Sequence, residues 1–72
     1  MQQQVEIMDT EAARRLVLRT LERNPDDGFT SVGLARILAM PLAQVRFALE
    51  ELTRAGLVLS VDDEYVSALP LD

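Results

Sequence analysis

The sequence predicts an α+β domain that is mostly α, with three helices followed by a short C-terminal β-hairpin. Three observations predict it. Two stretches, one running to about Arg23 and one ending near Ala55, repeat apolar residues at the 3.6-residue period of a half-buried helix. Between Thr30 and Val58 the chain reads as helix, tight turn, longer helix, glycine stop and strand. After Gly56, apolar and β-branched residues flank the run Asp62-Asp63-Glu64, which reads as a hairpin turn.

The first helix starts at Asp9 or Thr10, since either side chain can accept a hydrogen bond from the free amides of a first turn. Glu11 suits the positive end of the dipole. Ala13, Leu16, Val17, Thr20 and Leu21 form the inward stripe, with Leu18 beside it, facing the hairpin or a second subunit. Arg15, Arg19 and Arg23 recur every four residues. They read either as a phosphate-contacting edge or as a solvated face, with Glu11 pairing with Arg15 and Arg19 with Glu22; the solvated face is the favoured reading. Asn24-Pro25-Asp26-Asp27-Gly28 ends the helix through proline and Asp-Gly turn chemistry, and Phe29 is expected to anchor the core.

Thr30 or Ser31 caps the second helix, Val32 to about Ala39, whose inward face is Leu34, Ala35 and Leu38, with Ile37 beside them. Pro41 or Leu42 opens the third, where proline's missing N–H costs nothing. Leu42, Val45, Leu49 and Leu52 make its apolar stripe, with Ala48 alongside, and Gly56 takes the left-handed stop. Leu57 to Val61 and Tyr65 to Ala68 are the hairpin strands. The resulting organisation is a flexible arm at 1–8, the domain at 9–69 and a tail at 70–72. Val5 and Ile7 give the arm a short strand pattern, and the apolar tail is expected to cross the sheet edge or join a dimer contact.

A chain of 72 residues buries only about 60% of its unfolded surface. It has no cysteine for a disulfide, so stability rests on an aliphatic core, extended by a homodimer interface if one forms. With neither His nor Cys, no structural zinc is expected, and no metal or cofactor is assigned. The chain also lacks a glycine-rich phosphate loop, and an enzyme is not expected. No apolar run approaches the roughly 20 residues of a membrane span. The start, MQQQVEIMD, has no secretory character, so the expected location is cytoplasmic. The net charge of −5 opposes nucleic acid at long range, yet it is unevenly spread. Residues 29–58 carry three Arg against two Glu, whereas 59–72 carry four acids and no base.

The segments Thr30-x-x-x-Leu34-Ala35-x-x-Leu38 and Val45-x-x-x-Leu49-x-x-Leu52-x-x-Ala55-Gly56-Leu57-Val58 resemble the winged helix-turn-helix superfamily of MarR-like and ArsR-like bacterial regulators. The resemblance implies that Leu34, Ala35 and Leu38 meet Val45 and Leu49, so that the third helix offers its outer face to a DNA major groove. That face corresponds here to Ala43, Gln44, Arg46, Phe47 and Glu50, with Arg54 one turn further on. In this alignment Gln44 would read adenine and Arg46 guanine, against the plainer reading of both as solvated helix residues. Gly33 stands where the family often has Glu, and Ala39 where it often has Gly. Phe47 takes a commonly polar position, and Asp62-Asp63-Glu64 replaces a basic wing. These departures keep a second function in view, an acidic winged-helix module that contacts a protein through Phe47 and the wing without binding DNA. The first is a small double-stranded-DNA-binding domain, a transcriptional regulator or the DNA-binding module of an assembly.

Overall fold

The computed structural model describes residues 9–68. The expected arm at 1–8, with Val5 and Ile7, and the tail from Leu69 lie outside the described residues. Three helices, α1 (Thr10–Arg23), α2 (Ser31–Leu38) and α3 (Leu42–Arg54), precede an antiparallel hairpin of β1 (Val58–Val61) and β2 (Glu64–Ser67). This is the expected winged-helix arrangement.

The core follows from the periodicities. Ala13, Val17 and Leu21 of α1 pack with Leu34 of α2, with Val45, Ala48, Leu49 and Leu52 of α3, and with Val58 of β1. Ala35, Leu38, Leu16 and Leu18 lie partly buried against this cluster. Thr20, counted in the α1 stripe, is half-buried, and its hydroxyl donates to the Leu16 carbonyl at 2.9 Å. Ile37 is a correction: it is 60% exposed, because an eight-residue helix turns only Leu34, Ala35 and Leu38 inward. Phe29 behaves as expected, partly buried and exchanging two backbone hydrogen bonds with Tyr65. It thereby ties the segment between α1 and α2 to the outer edge of β2.

The helix ends show local chemistry at work. Asp9 takes the cap position of α1, but its side chain makes no capping bond. At α2, the Gly33 N–H donates to the Thr30 hydroxyl at 2.9 Å, which settles Thr30 over Ser31. Pro41 lies just before α3, in extended geometry, rather than inside its first turn. Asn24 closes α1, with its side-chain amide donating to the Thr20 carbonyl at 2.8 Å.

Two helices stop in the same way with different residues. Gly56 follows α3 at φ 81° while the Leu57 N–H reaches the Leu52 carbonyl. Ala39 follows α2 at φ 55° while the Met40 N–H reaches the Ala35 carbonyl. Each is a six-to-one closure around a left-handed residue, and in the second it folds Met40 into the core. A Cβ in that conformation costs about 1 kcal/mol. Ala39→Gly is therefore expected to raise stability by up to about 1 kcal/mol and Gly56→Ala to lower it by a similar amount. Denaturant melts of both variants check this, and equal shifts in the same direction would contradict it.

The hairpin turn is shorter than the acidic run suggested. Val61 pairs with Glu64, so Glu64 belongs to β2 and only Asp62 and Asp63 turn. Both have positive φ, 49° and 69°, the signature of a type I′ turn, whose twist matches that of the strands. Asp tolerates this conformation better than most non-glycine residues.

Candidate nucleic-acid interface

The axes of α2 and α3 turn through 118° across the Ala39–Pro41 break. That lies within the 90–120° range of helix-turn-helix pairs. The angle follows from Leu34, Ala35 and Leu38 packing on the core side of α3, which leaves the opposite side of α3 outward.

The structure distributes the expected site residues unequally. Ala43, Arg46, Phe47, Glu50 and Arg54 are all exposed on that outer side. Phe47 is 48% exposed and is not a core residue. Gln44 departs from the expected outward pose. It is half-buried with its Oε1 enclosed, because it stands one turn before buried Ala48, at the border of the inward stripe. Paired recognition of adenine needs both ends of the amide, so Gln44 must turn outward before it can read a base.

Arg46 has no acidic partner among the described residues. Arg54 differs: its guanidinium lies 3.8 Å from Glu50 and 3.8 Å from Glu51, and Glu51 in turn lies 3.5 Å from Arg14 of α1. Its charge is largely balanced within the fold. On the α1 ridge, Arg15 pairs with Glu11 at 3.3 Å as expected, whereas the expected Arg19–Glu22 pair does not form.

A shallow groove of about 540 Å³ runs between the outer side of α3 and the hairpin. Arg46, Glu50, Thr53, Arg54, Ser60 and Tyr65 line it. Thr53, Ser60 and Tyr65 were not singled out from the sequence. Ser60 and Tyr65 are register partners, a pairing that could be read only once the turn was known to hold two residues. The four Arg residues at 15, 19, 46 and 54 do not converge on one groove: Arg15 lines a separate depression with Glu11, Arg14, Leu18, Leu52 and Leu57.

The hairpin turn and its surroundings are acidic. Asp62, Asp63 and Glu64 are exposed, and Gly28 lies so close to Glu64 that an added Cβ would collide with that carboxylate. The Asp26-Asp27 turn therefore flanks the hairpin. Close approach of this region to phosphate is unfavourable. Among the described residues, no group of three or more acids stands close enough to hold a metal ion. No single helix among them is long and apolar enough to cross a membrane.

A family model described as a helix-turn-helix domain matches residues 8–61, which take in all three helices and β1. No curated protein and no solved structure matches the chain significantly.

Proposed function

Because the chain belongs to this helix-turn-helix family, in its ArsR-like and MarR-like winged-helix form, we propose that it is a small DNA-binding domain of the transcription-regulator type. Its outer α3 surface enters the major groove of a duplex. The observation that carries the reading is the pose of Arg46, exposed on the second helix of a 118° pair and without a carboxylate partner among the described residues. A guanidinium so placed is suited to the paired acceptors of guanine. Ala43 and Phe47 on the same side suit contact with thymine methyl groups, and Arg54 suits a phosphate once it leaves Glu50 and Glu51. Gln44 adds adenine recognition after it turns outward. The hairpin borders this surface through Ser60 and Tyr65, and its acidic turn disfavours phosphate, so binding rests on α3 with little help from the wing.

The test is a titration of random-sequence duplex at two salt concentrations. The reading expects binding at low salt that weakens as salt rises, with a shallow slope because few cations face the groove. A second reading has an observation of its own in the acidic region built from Asp26, Asp27, Asp62, Asp63 and Glu64, with Phe47 half exposed. In that reading the domain contacts a basic protein and leaves DNA alone. Absence of binding to duplex even at low salt would favour it and end the first.

A further inference from the structure

Three charged residues stand in a row on the outer side of α3. Arg46, Glu50 and Arg54 recur every four residues, so they share one face, and all three are exposed and line the same groove. As hydrogen-bonding groups the row reads donor, acceptor, donor. Glu50 has an arginine one turn away on each side. It lies 3.8 Å from Arg54 and makes no ion pair with Arg46. Arg54 has a second carboxylate at the same distance, that of Glu51, which also holds Arg14. Glu50 is therefore the spare member of this network, and an exposed pair of its kind adds little to stability.

A carboxylate on a surface that meets a duplex opposes phosphate whatever the sequence. That cost is offset only by a base that donates, because an ionised carboxylate accepts hydrogen bonds and gives none. In the major groove guanine offers acceptors at N7 and O6, and thymine an O4 acceptor and a methyl group. Adenine offers its N6 amine beside the N7 acceptor, which repels a carboxylate. Cytosine offers its N4 amine with no acceptor beside it on the same edge.

We infer that Glu50 is a specificity-determining residue, which accepts a hydrogen bond from the N4 amine of a cytosine. This rests on the duplex reading of α3 and deepens it. Four residues of helix advance about 6 Å, and successive base pairs stand about 3.4 Å apart. Glu50 therefore meets a base within about two pairs of the guanine that Arg46 reads. On binding, Arg54 turns to a phosphate and Glu50 to the base, and the exposed pair between them is given up at small cost. At another base the carboxylate loses its water and gains no equal partner, so Glu50 rejects wrong sites more than it tightens the right one. The net charge of −5 leaves the chain little sequence-independent affinity, which gives such base readout a larger share of binding.

Selection of tight binders from a random duplex library, followed by anisotropy on single-pair variants of the selected site, tests this. The parent chain is expected to select a cytosine within about two pairs of the guanine, and replacing that pair should lower affinity about five- to a hundredfold. Glu50→Gln keeps the side chain's size and removes its charge. It is expected to move the preference at that position from cytosine to adenine, while the guanine preference stays. Glu51→Gln removes the same charge from the neighbouring residue and should leave both preferences as they were. Arg46→Ala should relax the guanine preference and keep the cytosine. A chain that binds duplex but selects no such cytosine, or a Glu50→Gln variant that keeps the parent's preferences, overturns the role of Glu50 and leaves the DNA reading standing. Binding to no duplex at low salt overturns both.

Discussion

Leu49→Ala is expected to leave a large part of the population unfolded at 37 °C. Leu49 is among the largest fully buried side chains, in the row of α3 that faces α1 and α2. Truncation there removes buried methyl groups and leaves a cavity that neighbours fill only in part, at a cost of about 2–5 kcal/mol. A domain of this size is held by roughly 4–11 kcal/mol, and a chain without disulfide or metal sits toward the lower end. The expected loss is thus a large fraction of the whole, corresponding to a melting temperature lower by at least about 10 °C. Thermal unfolding followed by circular dichroism measures it. The control is Ile37→Ala, a change of similar size at a position 60% exposed, where the shift should be within about 0.5 kcal/mol. A near-equal effect of the two would mean that α3 does not face the core as described.

Arg46→Ala is expected to reduce affinity for duplex DNA by about ten- to a hundredfold, the worth of one paired guanine contact of about 1–3 kcal/mol. The fold should be untouched, because Arg46 is exposed and makes no ion pair among the described residues. Two further signs distinguish base reading from simple charge loss. The salt slope should change by less than about one unit, and preference for guanine at one position should relax. Arg54→Ala should act more weakly on binding, since Glu50 and Glu51 already hold that guanidinium. Fluorescence anisotropy with labelled duplex compares the variants. If Arg46→Ala binds as tightly as the parent chain, α3 is not the reading element.

Most of the fold was legible because its causes are local. Leu42, Val45, Leu49 and Leu52 declare an apolar stripe by spacing alone; the last three are buried, and Leu42, at the first position of α3, is only half-buried. Gly56 declares a stop by its lack of a Cβ, and it adopts the positive φ that needs none. The errors fell where one residue's fate depended on a second element. Ile37 shares the apolar character of its neighbours, but only the packing of α2 on α3 decides which of them is covered. Glu64 reads with the acids before it, and only the ladder assigns it to β2.

By itself the sequence determined the three helices, their stops, the hairpin and the outward position of Arg46, because periodicity and backbone preference act within a few residues of where they are written. Tertiary structure alone decided that Arg54 is held through Glu51 to Arg14, that Gln44 is half covered, and that Thr53, Ser60 and Tyr65 share a groove with Arg46. Those outcomes depend on helix rotation, on a strand register set by a two-residue turn, and on the reach of side chains 37 positions apart, such as Arg14 and Glu51. No local pattern encodes such distances, since they exist only once the core has brought the elements together.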